Sequence, residues 1–383
     1  MIKGRRAMMS INHLTIIQQR LNEKFIDRSE EIEAMMIALL SKQHILFIGP
    51  AGTGKSALSS MLGEVVQGSR YFQHLLTAFS TPEELFGVLS LKDLEQGVYK
   101  RNISGMLPEA HFAFIDEIFK ANSAILNSLL TLINERVYYN NGVAIQSPMM
   151  TIVGSSNEYI EEGEGLEALF DRFLLRYEVD YVKEPDQFVQ MLKGSQDVII
   201  PSITLTELKA IQRSVERVKI DEPIYSTLVK IRQNLFDQGI RPSDRRFKNS
   251  LQLLRAKAYL SNRFEVQKSD LLLLKNVLWE TIDQKQQTQE IISEIVLDSV
   301  EAFITRVKPE FEMILLRAEN TMRMKDKELG SRTKLSELLM QGKTLFLEVQ
   351  AMNRQVPNRP ELMQLKSDMH KRLLQMTSDV IGF

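Results

Sequence analysis

Cysteine is absent from the 383 residues, so the chain can form neither disulfides nor thiolate zinc sites. Histidine is scarce. The five stand at 13, 44, 74, 111 and 370, a scatter with no metal-ligand spacing. Neither sign of charge is in excess. The 48 basic and 49 acidic residues nearly cancel, which leaves no electrostatic footprint for DNA or RNA. No apolar stretch approaches the ~20 residues of a membrane-spanning helix. The run Leu271–Leu274 is far too short and reads as helical core. Basic residues open the chain at Met1-Ile2-Lys3-Gly4-Arg5-Arg6, but no signal-peptide apolar core follows them. No solenoid-period repeat or low-complexity tract is visible. These absences point to a cytoplasmic protein, and a length of 383 residues to two or three domains.

Residues 49 to 56 read Gly49-Pro50-Ala51-Gly52-Thr53-Gly54-Lys55-Ser56, directly after the apolar run Ile45–Ile48. This is the phosphate-loop pattern in the context it needs, a buried strand, a glycine loop and a helix starting near Lys55. Its backbone N–H groups converge on a polyphosphate. Lys55 reaches the β and γ phosphates, and Ser56 offers an oxygen to Mg²⁺.

Alternation continues past the loop. Ala57–Val66 reads as helix, Tyr71–Thr77 as a short strand, and Phe112–Ile115 as a continuous apolar strand. Ser123–Glu135 is a helix with one apolar face, and Thr151–Gly154 and Leu174–Val179 are further strands. Buried strands alternating with helices imply a parallel sheet covered on both faces. Ahead of it, Ile11–Leu40 is amphipathic helix, with Ser29 or Asp27 as the expected cap of the segment from Arg28. Beyond Glu184-Pro185 helices dominate: Leu205–Val218, Pro223–Gln238 and Ser243–Asn262. From Gln286 onward long apolar stripes predict a helical hairpin or three-helix arm, with 14 basic and 14 acidic residues and breaks near Gly330 and at Val356-Pro357.

Five further residues bear on chemistry. Asp116-Glu117 ends the strand Phe112–Ile115. There Asp116 can hold Mg²⁺ and Glu117 can polarise a water. The pair could also be an ordinary acidic helix cap. Asn157 follows the strand Thr151–Gly154 and can hydrogen-bond a γ-phosphate or the attacking water, or simply occupy a turn. Arg172 stands in Leu169-Phe170-Asp171-Arg172-Phe173, where it can serve a neighbouring subunit's phosphates or pair with Asp171. Arg245, in Pro242-Ser243-Asp244-Arg245-Arg246, can reach nucleotide from a lid, or be a basic helix start.

In order and approximate spacing this set resembles the AAA+ ATPases, and in detail the MoxR branch and its RavA-type members. The supporting segments are Phe79–Gly87, Gly105–Ala110 and Ile125–Arg136, and the match runs from about Leu21 to Trp279. The resemblance implies a P-loop AAA+ core with a parallel sheet covered by helices at 1–183, an all-α lid at 184–284, and an α-helical C-terminal arm at 285–383. It implies that Gly49–Ser56 is Walker A and that Asp116 and Glu117 are Walker B. Asn157 would be sensor 1, Arg172 a trans arginine finger, and Arg245 sensor 2 with Arg246 beside it. Phe25 and Ile26 fall where the family contacts adenine. Leu85–Leu107 would hold the helix-2 insert hairpin. Asn140–Ser147 reads as a second hairpin turning at Asn140-Asn141-Gly142. The arm shows no β-rich insert of the kind that RavA-type proteins can carry.

The expected activity is ATP hydrolysis with Mg²⁺ by a ring, a hexamer, that remodels or matures a protein partner, with metal insertion or complex assembly as the outcome. The family implies a partner with a von Willebrand factor A domain. Two other readings stay open: a nucleic-acid-associated AAA+ motor, and a nucleotide-gated assembly scaffold with little turnover.

Overall fold

The computed structural model describes residues 2–160, 165–194, 198–297, 299–323, 329–356 and 359–381. In chain order the elements are α1 (Ile2–Lys24), α2 (Ser29–Ser41), β1 (Ile45–Ile48), α3 (Lys55–Val65), β2 (Val66–Gln67), β3 (Tyr71–Leu75), α4 (Pro82–Phe86), α5 (Leu91–Leu94), β4 (Phe112–Asp116), α6 (Ser123–Glu135), β5 (Val137–Asn140) and β6 (Val143–Gln146). There follow β7 (Thr151–Ser156), α7 (Glu167–Arg172), β8 (Leu175–Glu178), α8 (Pro185–Leu192), β9 (Ile203–Thr204), α9 (Leu205–Val215), α10 (Glu222–Asp237), α11 (Asp244–Leu260), α12 (Ile282–Val296), α13 (Ser299–Arg323), α14 (Leu329–Gln355) and α15 (Pro360–Ile381).

Five strands form one sheet in the order β3-β4-β7-β1-β8, and every pairing in it is parallel. The sequence dictates this directly. β1 and β7 are apolar or small throughout and every residue of both is buried, as a strand covered on two faces requires. Register aligns the functional tips. Ile48 stands beside Ser156, and Ile115 beside Gly154, so Asp116 emerges level with Ser155. Gly154 leaves little room here, because a Cβ would lie 3.0 Å from the Phe173 ring, which would have to shift.

α9 and α11 pack against α2, and α1 packs against all three. The Leu271–Leu274 run lies in a 3-10 helix, Lys268–Asn276, with Leu271, Leu273 and Leu274 buried. Two expectations change in detail. The residue before α2 is Arg28, with no side-chain cap, while Asp27 takes a left-handed φ of 58°. The insert after α4 closes through a single antiparallel bridge, Leu89 to Arg101, with the short helix α5 between its legs. The hairpin β5–β6 forms with Asn141 and Gly142 as its two turn residues, both at positive φ (52° and 73°), the mirror-image geometry that suits strand twist.

The chain divides into two compact units, Met1–Ile292 and Ser293–Phe383. In the second, α13, α14 and α15 pack on one another around Val307, Phe311, Leu345, Val349, Leu362 and Met369. Ion pairs Arg306–Glu348 and Arg372–Glu312, both 2.6 Å, cross between helices. No strand occurs among its described residues. Gly330 lies in the first turn of α14 and the residues just before it are outside the described ones, while of the second expected break Val356 follows α14 and Pro357 lies outside the described residues.

Candidate functional site

The phosphate loop leaves β1 at Gly49, whose N–H donates to Ser156 O at 3.0 Å. Only glycine fits, since a Cβ would sit 2.0 Å from Val179 O. Gly54 ends the loop at φ 87° and precedes α3 with no side chain capping its first turn. The N–H groups of that turn are therefore open to an anion. Lys55 is buried. Its ammonium donates to Gly49 O (2.5 Å), Pro50 O (2.8 Å) and Asn157 Oδ1 (3.3 Å). Burial pulls the Lys55 pKa down, opposed by the carboxylates of Asp116 and Glu117.

Both carboxylates stand at the tip of β4. Asp116 Oδ1 accepts from Glu117 N at 3.1 Å and from Ser155 Oγ. Glu117 itself has a left-handed φ of 52°, a conformation a few per cent of non-glycine residues adopt. Glu117 Oε1 accepts from Asn157 Nδ2, and Oε2 lies 3.4 Å from Lys120 Nζ. The side chain caps no helix, although Glu117 precedes the 3-10 turn Ile118–Lys120. Lys55, Asn157 and Glu117 thus form one connected set beside Asp116.

Ser56 opens at the surface on the first turn of α3. Ser56 and Asp116 offer a hydroxyl and a carboxylate. Among the described residues no cluster of three or more His, Cys, Asp or Glu could hold a metal ion. Two protein oxygens beside a phosphate loop fit Mg²⁺, which keeps several waters and takes its remaining ligands from phosphate.

Phe25 and Ile26 come to the loop as well. With Gly52, Thr53, Tyr181 and Phe188 they line a cavity of about 430 Å³. On the other side of Gly49 and Pro50 a second cavity of about 520 Å³ holds Asn157, Tyr159, Glu178 and Lys285. There Glu178 accepts from Tyr159 and pairs with Lys285. Burial, then the Glu178 carboxylate, push the Tyr159 phenol pKa up.

Arg28 is a residue that sequence reasoning missed. It is buried, and its guanidinium donates to Thr53 O (3.1 Å), Asp27 O (2.6 Å) and Asp180 O (2.6 Å). It ties the phosphate loop to the chain entering α2 and to the chain leaving β8. No local pattern marks it, because two of its three partners lie 25 and 152 residues away.

Arg172 and Arg245 are not at the phosphate loop of their own chain. They line a cavity of about 250 Å³ together with Gln43, His44, Asn134 and Asp171. His44 precedes β1 and the loop follows it, so the two sites lie at opposite ends of the strands. Four residues of strand alone span about 13 Å. Arg172 pairs with Asp171 at 2.8 Å, and Arg245 donates to Asn134 Oδ1 at 2.8 Å. Arg246 is different. Only 2% exposed, it donates to Phe173 O at 3.1 Å and lies 3.5 Å from Asp171 Oδ1. Burial lowers its pKa to about 10, against the pull of Asp171. Arg245 is therefore the member of the pair that faces solvent.

A family model described as the MoxR domain in the MoxR-vWA-beta-propeller ternary systems matches residues 12–215. An AAA lid domain model matches residues 223–292. An uncharacterised protein of Methanocaldococcus jannaschii is 34% identical over 380 residues, 97% of each chain. A second uncharacterised protein of that organism is 37% identical over 270 residues, 70% of this chain and 72% of its own. The chaperone MoxR1 of Mycobacterium tuberculosis is 27% identical over 180 residues, 46% of this chain and 44% of its own. Among solved structures, a protein of Cytophaga hutchinsonii shares the fold with a TM-score of 0.64 at 15% identity, over 77% of this chain and 97% of its own.

Proposed function

Because the chain belongs to the MoxR family of AAA+ ATPases, we propose that it forms a ring, a hexamer, that hydrolyses ATP to ADP and phosphate and uses the cycle to remodel a protein partner. The observation that carries this reading is the connected set Lys55, Asn157 and Glu117 beside Asp116. In it a phosphate ligand, a polar sensor and a base already touch.

In this reading the adenine enters the cavity of Phe25 and Ile26, and the triphosphate lies along Gly49–Ser56. Lys55 exchanges its loop carbonyls for the β and γ phosphates. Ser56 and Asp116 would hold Mg²⁺, which when bound neutralises charge on the phosphate oxygens. Asn157 turns from Lys55 toward the γ-phosphate. Glu117, released from Asn157 and Lys120, takes a proton from the attacking water as the water oxygen bonds to the γ-phosphorus and the bond from that phosphorus to the β–γ bridging oxygen breaks, so that ADP leaves. Arg172 and Arg245 lie at the far end of the strands from their own loop, so both are assigned to the nucleotide of the next subunit. In this reading Arg245, rather than the buried Arg246, is sensor 2, and its exposure supports that choice. An arginine in trans stabilises the charge of phosphoryl transfer, which makes assembly a condition of turnover.

Residues 1–183, 184–284 and 285–383 are assigned as nucleotide domain, lid and arm. The partner is assigned as a protein with a von Willebrand factor A domain. Support comes from the description of the matched MoxR domain, which names such systems. A cytoplasmic site of action accords with the described helices, none of which is long and apolar enough to cross a membrane.

Mixing subunits tests the core of the reading. Glu117→Gln removes the base but keeps the arginines, and Arg172→Ala does the reverse. Each variant alone should be nearly inactive, and the mixture should regain turnover. A mixture as inactive as its parts would sink the trans assignment. The partner is tested separately, by ATP-dependent capture on Glu117→Gln protein. Recovery of the protein's own ring alone would favour a nucleotide-gated scaffold.

A further inference from the structure

Two arginines are buried behind the exposed pair. Arg176 donates from Nε to Phe173 O at 3.1 Å, from Nη2 to Phe170 O at 3.1 Å, and from Nη1 to Trp279 O. Its guanidinium lies 3.8 Å from the Phe170 ring centroid. Arg246 reaches the same Phe173 carbonyl from α11. The two guanidiniums therefore converge on the residue that follows Arg172. Arg246 also faces the residue that precedes it, Asp171, whose Oδ1 it approaches while Oδ2 holds Arg172. Arg172 is thus bracketed on both sides by one side chain from another element, and that side chain is the immediate neighbour of Arg245. Keeping two guanidiniums buried beside one carboxylate is costly. Arg246 Nε has no hydrogen-bond partner in the described structure, and Nη1 reaches Asp171 Oδ1 only as an ion pair at 3.5 Å.

We infer that Arg246 is a positioning residue that holds Arg172 and Arg245 at a set separation, so that core and lid present both to one phosphate of the neighbouring subunit. This rests on the trans reading above and deepens it. Arg246 touches no nucleotide. Its two contacts carry the placement, one to Phe173 O and one to Asp171. If the lid shifted against the sheet on this side, the Phe173 contact would break and the two arginines would separate. Loss of either arginine's charge from the phosphate would then follow from movement, with no change in the arginine itself.

The test uses Arg246→Met, which fills the volume and removes the donors. Asp171 is 34% exposed and keeps Arg172 as its partner, so the substitution strands no buried lone carboxylate and the fold should survive, as the melting temperature checks. Turnover should fall by about tenfold or more, since a displacement near 1 Å can cost that much. ATP binding to the variant's own loop should be unchanged. The discriminating step is complementation. Mixed with Glu117→Gln, whose arginine face is intact, Arg246→Met subunits should regain turnover. Mixed with Arg172→Ala they should not, because both partners then lack a working face. Asp171→Asn, which keeps the volume and removes the carboxylate that Arg172 and Arg246 share, should behave in the same way.

If Glu117→Gln rescues Arg172→Ala but neither Arg246→Met nor Asp171→Asn, Arg246 is structural and the inference is wrong while the trans reading stands. If Glu117→Gln fails to rescue Arg172→Ala, the trans reading fails and this inference fails with it.

Discussion

Asn157 lies between Lys55 and Glu117. Its Oδ1 is 3.3 Å from Lys55 Nζ, and its Nδ2 donates to Glu117 Oε1. One carboxamide, oriented by a cation on one side and an anion on the other, is placed to report whether a phosphate has taken Lys55. Asn157→Ala should leave ATP affinity within about twofold, because Lys55 keeps the open loop around it. Turnover should fall by about a hundredfold, the range for removing one donor from developing charge. Steady-state kinetics separating kcat from KM check this. A rise in KM with kcat unchanged would place Asn157 in binding alone.

Arg28→Ala should weaken nucleotide binding without touching nucleotide. The substitution leaves the carbonyls of Thr53, Asp27 and Asp180 without their shared donor, and each hydrogen bond to a charged group contributes about 1.5–3 kcal/mol. An affinity loss of about tenfold with a lower melting temperature is expected. Arg28→Lys should recover only part of it, since an ammonium cannot reproduce the fork. Isothermal titration with a non-hydrolysable ATP analogue reads both variants.

Phe25→Ala should act on binding alone. Phe25 is part of the cavity beside Gly52–Gly54, which Asp116 and Glu117 do not line. Losing a ring that buries base surface costs about 1.5–3 kcal/mol. The KM for ATP should rise about tenfold with kcat held. A fall in kcat at saturating ATP would remove Phe25 from the base pocket.

His44 makes stability depend on pH. It is buried, and its Nδ1 accepts from Ile152 N at 2.9 Å. Burial first, then Arg136, lowers its pKa to about 3. The unfolded chain therefore binds a proton near pH 6.5 that the folded chain refuses until about pH 3. Stability falls as pH drops through that window, by about 1.4 kcal/mol per unit. Urea unfolding at pH 7.5 and pH 5.0 should differ by about 2 kcal/mol from this residue. His44→Asn can keep an acceptor for Ile152 N and should remove that part of the slope. An unchanged slope in the variant would assign the acid sensitivity elsewhere.

The order of strands, the phosphate loop and the tip residues were legible because each is written in a few consecutive residues. An apolar run buried on both faces makes a central strand, and glycines at 49, 52 and 54 permit the loop. The residue after a strand is carried to its tip. Local pattern therefore places Lys55, Asp116, Glu117 and Asn157 on one edge. The same logic locates the β5–β6 hairpin from Asn141-Gly142. It misjudges the start of α2, where the chain spends Arg28 on the loop rather than a side-chain cap.

What only tertiary structure decided is which arginine is buried and which faces solvent. Arg245 and Arg246 are adjacent, equally basic and equally compatible with a helix start. Packing of α11 against α2 turns one into the interior and leaves the other at the surface. Likewise, nothing local says that Arg172 stands at the opposite end of the strands from Lys55. Direction along a strand is decided by which end of the sheet a connection returns to, and that depends on pairing among residues more than a hundred apart. Sequence determined the residues of the phosphate chemistry, because backbone geometry there is local. Tertiary structure decided which guanidinium stays exposed, because burial of a guanidinium depends on everything packed around it.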